Sequence, residues 1–128
     1  TWNVAVAGNS AMVTKEWIGD EENHEAVRRF LRALSEALSI FHTDRELSIS
    51  ILQKWHGISD RQVAETIYDR GQWMPRKPYP CYQGVENTFE LYDSNEMRRF
   101  SPSDFYDDQF LKALDESGFI DSLYDSAN

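Results

Sequence analysis

Two neighbouring carboxylates near the end of the chain, Asp107 and Asp108, have the residue types for acid–base chemistry. A pair of carboxylates can act as general acid and general base when both groups face one substrate. Residues adjacent in sequence do not face one another on a helix, so this pair lacks that geometry. Both residues instead suit a helix cap and first turn, where negative charge is favoured. We therefore expect both residues to be structural.

The sequence also gives little support for a metal site or for a catalytic nucleophile. The three histidines, His24, His42 and His56, are not spaced three or four residues apart, and Cys81 is the only cysteine, so no zinc-ligand spacing exists. We expect the histidines at the surface or at helix ends, and Cys81 as a small buried side chain. No titratable set is spaced for catalysis, and the chain is predicted not to be an enzyme and to need no cofactor.

Two further segments have residue types that bind ligands in other proteins. The segment Gly8-Asn9-Ser10 lacks the glycine pattern of a phosphate loop and the flanking glycines of a nucleophile elbow, so we expect an ordinary turn. The run from Trp73 to Tyr82 combines aromatic rings with three prolines, which suits a small planar ligand or a proline-rich partner. The interpretation we favour is that Trp73, Tyr79 and Tyr82 cover the gap between the helices on either side.

The charge distribution excludes several classes of partner. The 13 Lys and Arg residues against 22 Asp and Glu residues give a net charge of −9. From Ser101 onward, seven acids stand against Lys112 alone, a net charge of −6. Such a surface repels nucleic acids and anionic membranes, so neither is an expected partner. The one basic cluster, Arg28-Arg29-Arg32, has Glu25 and Glu36 at helical spacing, which predicts a solvated helix face.

Length and composition indicate one folded domain over residues 1–128. Apolar residues make up 41% of the chain and aromatic residues 13%, enough to form a core. A single cysteine permits no internal disulfide. No apolar run approaches the roughly 20 residues of a membrane span. The opening residues lack a basic start and an apolar stretch, so we expect no signal peptide there and expect an excised piece of a longer protein.

The spacing of apolar residues predicts mainly α-helix. A long amphipathic helix of about five turns follows an N-cap at Asn23. A second helix runs from near Asp44 to His56 and is ended by Gly57. A third helix follows a capping box formed by Ser59 and Gln62, with Ile58 stapled to Val63, and continues to Gly71. Prolines forbid a helix in the next segment, and a fourth helix is predicted from Tyr82 to Ser94.

The two ends of the chain complete the prediction. Alternating apolar and small residues at Val4, Val6 and 11–13 predict one or two short strands. Ser101 and Pro102 mark a single capped turn. Asp107 is predicted to cap the last helix, which Gly118 ends, with Phe119 folding back onto its final turn. The total is about five helices with one or two short strands.

The order of these elements resembles the C-terminal part of extracytoplasmic solute-binding proteins of ABC importers. The nearest branch handles thiamine precursors, nitrate, sulfonates and related small solutes. The resemblance rests on five segments of the sequence: 11–18, 23–34, 47–59, 78–85 and 101–121. His24 departs from the family, which often has proline at that position.

The resemblance implies a type 2 periplasmic-binding-protein-like fold, which is α/β in the family although this segment is mainly α. Such a protein needs about 300 residues in two lobes, so residues 1–128 would be its C-terminal portion. The lobes close on a small solute and deliver it to a membrane permease in the periplasmic or extracytoplasmic space, with or without a lipid anchor. Asn9 and Ser10, just before a returning strand, are expected near the ligand cleft.

A rival hypothesis is a stand-alone helical protein-interaction module. It would bind a protein partner through the segment Trp73–Tyr82 or through the acidic tail. Under either hypothesis, an apolar face that is left uncovered is expected to favour a homodimer.

Overall fold

The computed structural model describes Ala5 and residues 10–92 and 94–125. Within these ranges the chain forms seven α-helices and no strand. The helices are α1 (Lys15–Gly19), α2 (His24–Thr43), α3 (Arg45–His56), α4 (Arg61–Gly71), α5 (Tyr82–Leu91), α6 (Gln109–Glu116) and α7 (Phe119–Asp125). Three short 3₁₀ turns occupy Glu21–Asn23, Met97–Arg99 and Pro102–Phe105. The prediction of a mainly α-helical segment is confirmed.

The helix α2 is the centre of the fold, and its 20 residues match the predicted five turns. It packs against α3, α6 and α7, and α3 packs in turn against α4. The side chains that face these neighbours recur at alternating four- and three-residue steps and are half-buried: Val27, Leu31, Leu34, Leu38 and Phe41. This is the spacing by which one helix face meets another.

The junction between α2 and α3 also agrees with the sequence prediction. The carboxylate of Asp44 accepts a hydrogen bond from the backbone N–H of Leu47 at 2.9 Å and thereby caps α3. Gly57 ends α3 with φ 65°, a left-handed conformation that favours glycine. These two residues fix the length of the helix that contributes Ile49 to the core.

The core of the described residues is small. Ile49, Ala64 and Tyr68 form one buried cluster, and the half-buried side chains of Phe41, Leu52 and Ile58 pack against it. Leu111 of α6 and Ile120 of α7 are the other two buried apolar residues. Three serines at the helix contacts are also buried, and their hydroxyls donate to backbone carbonyls: Ser35, Ser39 and Ser48. Small side chains with satisfied hydroxyls let α2 approach its neighbours closely.

The start of α4 differs from the prediction. The side chain of Asp60, one residue after Ser59, accepts a hydrogen bond from the backbone N–H of Gln62 at 2.8 Å. The predicted capping box of Ser59 and Gln62 is therefore wrong. Aspartate is as good an N-cap as serine, and its negative charge is additionally favoured at a helix N-terminus.

Three other predicted boundaries need correction. Residues 11–13 form no strand, while Val4 and Val6 lie outside the described residues. The helix α5 ends at Leu91 rather than at Ser94. Phe119 begins the helix α7 instead of folding back alone, because Gly118, at φ 77°, redirects the chain so that Ile120 becomes buried. A helix of seven residues is too short to show a clear apolar period.

Candidate functional site

The predicted ligand residues receive little structural context. Asn9 lies outside the described residues, and Ser10 is exposed in the irregular segment before α1. The carbonyl oxygen of Ala5 accepts a hydrogen bond from the side chain of Asn87, a residue of α5, at 2.8 Å. The assignment of Asn9 and Ser10 to a ligand cleft therefore stays a prediction.

A groove at the end of α5 is a second location for a ligand. It has a volume of about 640 Å³, is open to solvent, and is lined by Thr88, Leu91, Tyr92, Ser94 and Met97. Small-molecule sites usually enclose most of the ligand and place a few convergent polar groups around it. A groove as open as this one cannot by itself remove a small polar solute from water.

A set of polar contacts joins the proline segment to the C-terminal helices. We call it the connector–tail network; its members are Lys77, Tyr79, Tyr82, Asp108, Asp115 and Asp121. The ammonium of Lys77 lies 2.6 Å from Asp115 Oδ1 and 2.9 Å from Asp121 Oδ1. The hydroxyl of Tyr79 donates to Asp115 Oδ2 at 2.9 Å, and the hydroxyl of Tyr82 donates to Asp108. The network thus holds residues 77–82 against α6 and α7.

The network shifts the acidities of its members. Hydrogen bonds from Lys77 and then from Tyr79 lower the pKa of Asp115, and hydrogen bonds to Asp115 and Asp121 raise the pKa of Lys77. The hydrogen bond to Asp108 raises the pKa of Tyr82 to about 12. The same bond, together with Lys112 at 3.1 Å, lowers the pKa of Asp108. The pKa shifts therefore favour the charged forms of Lys77 and of the two aspartates and the protonated form of Tyr82, which are the forms that make these hydrogen bonds.

These contacts indicate that the role of the network is structural: it holds the proline segment against the C-terminal helices. Both Asp108 and Asp115 accept hydrogen bonds from dedicated donors, so neither carboxylate is poised to take a proton from a substrate. The side chain of Asp107 accepts from the backbone N–H of Gln109 at 3.0 Å, so it contributes to the start of α6 although Asp108 is the N-cap residue. Asp108 is the N-cap residue of α6, a structural position as expected, but its contact with Tyr82 was not predicted. The signal for this contact was the excess of acids in the tail opposite a lysine and two tyrosines among prolines.

The arginine cluster on α2 is exposed, as predicted, and packs against rings of the C-terminal helices. Arg29 pairs with Glu25 at 3.0 Å. The guanidinium of Arg32 lies 4.0 Å from the ring centroid of Phe119, and that of Arg28 lies 5.5 Å from the ring centroid of Phe110. Contacts of this type contribute to the packing of α2 on α6 and α7.

Several expectations about single residues are wrong. Cys81 is exposed rather than buried, because it precedes α5 at the surface of the connector. The side chain of Trp73 is 81% exposed and covers no gap, whereas Tyr79 and Tyr82 contact the tail. His42 lies in the last turn of α2, a helix end as expected. It is half-buried between the rings of Phe41 and Tyr124, and its Nε2 atom is buried with no hydrogen-bond partner among the described residues.

Exposed apolar side chains recur along α2 and along α3. We call this surface the α2–α3 face; its exposed members are Ala26, Phe30, Ala33, Ala37, Ile40, Leu47, Ile51 and Trp55. On α2 these exposed residues again follow alternating four- and three-residue steps. Each of them directly precedes one of the half-buried residues that face the neighbouring helices, Val27 to Phe41. An α-helix with two such adjacent apolar stripes has the pattern of a helix that is covered on two sides.

Comparison with known proteins adds no relative: no protein-family model, curated protein or solved structure matches this chain. In the part of the chain that the structure describes, no three His, Cys, Asp or Glu side chains are grouped to hold a metal ion. None of the helices in the same ranges has the length and apolar character required to cross a lipid bilayer. The fold and the site therefore define only a general class of protein. It is a mainly α-helical chain in which the connector–tail network holds the proline segment against the C-terminal helices and the α2–α3 face is exposed.

Proposed function

We propose that this chain is the helix-rich C-terminal part of an extracytoplasmic solute-binding protein of an ABC importer. Such a protein captures a small polar solute, of the class of thiamine precursors, nitrate or sulfonates, and delivers it to a membrane permease. It acts in the periplasmic or extracytoplasmic space, performs no covalent chemistry and needs no cofactor. Asn9 and Ser10 remain the proposed contribution of this segment to the cleft.

The observation that carries the proposal is the mismatch between apolar content and core. Apolar residues make up 41% of the sequence, yet five apolar side chains are buried among the described residues. The α2–α3 face leaves Phe30 49% exposed and Trp55 77% exposed. Helices that belong to an α/β lobe bury one face on a sheet, and without that sheet the same face is left in water. The remainder of a lobe would cover these side chains.

The order of the described helices adds support. The described residues form, in order, a short helix, a long helix, a helix pair, a proline-rich crossing, the helix α5, a capped turn, the helix α6 and, after Gly118, the helix α7. The resemblance to the solute-binding proteins rests on this order of helices together with a returning strand before the short helix, and residues 11–13 do not form that strand. Because helix order alone is shared by unrelated folds, solute binding has to be tested directly.

The test compares this chain with the longer protein that the proposal implies. The genomic sequence upstream of Thr1 is expected to encode a leader and about 150 to 200 further residues, enough for the missing parts of two lobes. Isothermal titration of both proteins with a pyrimidine precursor of thiamine, nitrate and an alkyl sulfonate is the binding measurement. The longer protein should bind one solute with a Kd in the micromolar range, about −8 kcal/mol, while residues 1–128 bind none.

Two results would contradict the proposal. Tight binding of a solute by residues 1–128 alone would show that no further cleft residues are needed. An open reading frame that starts directly before Thr1 would leave no sequence for the rest of a lobe.

A second candidate is the helical protein-interaction module, and the exposure of Trp73 favours it. The indole ring of Trp73 is 81% exposed, two residues before Pro75. Exposed tryptophans are common anchors of protein interfaces. Photo-crosslinking from position 73, followed by mass spectrometry, should then identify one partner. Position 67 on α4, which is 42% exposed and lies outside the α2–α3 face, serves as the control, and equal labelling from both positions would count against a site at Trp73.

A further inference from the structure

We infer that residues 1–128, as a separate chain, form a homodimer in which the α2–α3 faces of two copies pair with their α2 helices antiparallel. The inference goes beyond the proposed function. In a longer protein the rest of a lobe would cover this face, whereas in the separate chain a second copy covers it. Dimerisation and solute binding can therefore fail independently of each other.

The area of the face is the first argument. The exposed fractions of its five large apolar residues correspond to roughly 600 Å² of accessible surface, which is at the upper limit for the largest apolar patch on a monomer. Pairing two such faces buries about 1,200 Å² in total, which reaches the range of specific protein–protein interfaces. The two faces are identical, so a two-fold axis makes each one complementary to the other.

The charge distribution is the second argument. Two copies with a net charge of −9 repel each other on average. Residues 24–56, which include α2 and α3, contain five basic and four acidic residues, a net charge of +1. The rest of the chain therefore has a net charge of −10. The α2–α3 face therefore lies in one of the segments where two copies can approach with little charge repulsion.

The border of the face specifies the antiparallel orientation. Arg29 and Glu36 are seven residues apart on α2 and therefore lie on the same edge of the face. When two α2 helices run antiparallel about an axis near Ala33, Arg29 of one copy faces Glu36 of the other, and the reverse pair forms as well. Glu36 has no ion pair within the described residues, and Arg29 contacts only the exposed Glu25. Alanines at 26, 33 and 37 leave room for Phe30 of the second copy.

The experiment measures the mass of the separate chain by sedimentation equilibrium over a range of concentrations. The wild-type chain of 14.9 kDa should sediment at twice that mass at about 100 μM. The test variant is Ile51→Glu on the face, and the matched control is Ile67→Glu on α4. The two isoleucines are 41% and 42% exposed, so both variants should remain folded by circular dichroism. We expect the dimer Kd to rise at least tenfold for Ile51→Glu and to stay unchanged for Ile67→Glu.

A charge exchange tests the orientation. Arg29→Glu should weaken the dimer several-fold by placing like charges opposite each other, and the double variant Arg29→Glu/Glu36→Arg should restore it. A wild-type chain that is monomeric at this concentration overturns the inference. An assembly larger than a dimer also overturns it. The inference is equally overturned if Ile67→Glu dissociates the dimer while Ile51→Glu does not, or if the charge exchange fails to restore association.

Discussion

The ammonium of Lys77 lies 2.6 Å from Asp115 Oδ1, and this ion pair joins the proline segment to a helix 38 residues further along the chain. The second carboxylate oxygen of Asp115 accepts from Tyr79 at 2.9 Å, so both oxygens of Asp115 are used. Because proline segments make few backbone hydrogen bonds of their own, side-chain contacts of this type determine where the segment lies.

A double-mutant cycle tests whether this pair acts as a unit. Lys77→Met and Asp115→Asn should each lower the urea midpoint of unfolding, and the double variant should lose less than the sum. The reason is that Asp115 is mostly shielded, which strengthens its attraction to Lys77. The control is Arg29 and Glu25, both well exposed, for which the coupling should be near zero. Additive effects at Lys77 and Asp115 would contradict the fastening role of the network.

The N-cap of α4 provides a second prediction, with adjacent residues as test and control. Asp60→Ala should destabilise the fold by about 1 kcal/mol, since the backbone N–H of Gln62 loses its acceptor. Ser59→Ala should change the free energy of unfolding by less than about 0.5 kcal/mol, as is usual at an exposed surface position. Chemical denaturation of both variants measures the difference. A larger loss for Ser59→Ala would restore the capping box that the sequence predicted.

This example shows what sequence patterns determine in this chain and what they leave open. The long helix α2, the end of α3 at Gly57 and the capped turn at Ser101 were predictable, because each depends on local spacing or on one residue with a special conformation. At the start of α4, Ser59 and Asp60 are both good caps, and the choice between them depends on how Ile58 reaches the core. Local patterns do not contain that information.

The candidate site was less predictable than the helices. The contact of Tyr82 with Asp108 spans 26 residues, and that of Lys77 with Asp115 spans 38. Nothing in the spacing of these residues requires them to meet, since the approach is set by the packing of α6 and α7 on α2. The exposure of Trp73 was missed for the same reason: aromatic residues are usually buried, and only the path of the connector decides otherwise.

Gly71 at the end of α4 should not tolerate a side chain. A Cβ atom there would lie 2.7 Å from Cζ of Phe41, a ring that packs against the core cluster. Gly71→Ala should therefore destabilise the fold by about 1 to 3 kcal/mol, the usual cost of overpacking. The control is Gly19→Ala, where no atom lies within 4 Å of the added carbon. Equal thermal midpoints for the two variants would show that the ring of Phe41 moves aside freely.

The small core makes Ile49 a critical residue. Its side chain is fully buried between α2 and α4, and Ile49→Ala should lower the free energy of unfolding by about 2 to 5 kcal/mol. Because the described core holds few other apolar side chains, such a loss is expected to unfold much of the population. Ile67→Ala on the exposed side of α4 should cost less than about 1 kcal/mol. Denaturation monitored by helical circular dichroism distinguishes the two, and a loss below 1 kcal/mol for Ile49→Ala would contradict this core.

Tyr82 should give the fold an alkaline dependence. Its hydroxyl donates to Asp108, which raises the pKa of Tyr82 to about 12 from an ordinary value near 10. Since the folded pKa is the higher one, the contribution of this bond is fully present below about pH 10 and is lost as the pH rises through about 12. Wild-type urea midpoints should therefore fall more steeply over this interval than those of Tyr82→Phe, which has no proton to lose. A tyrosinate absorbance titration should show one late-titrating group fewer in the variant. Identical alkaline profiles for the two proteins would mean that the hydrogen bond to Asp108 contributes nothing to stability.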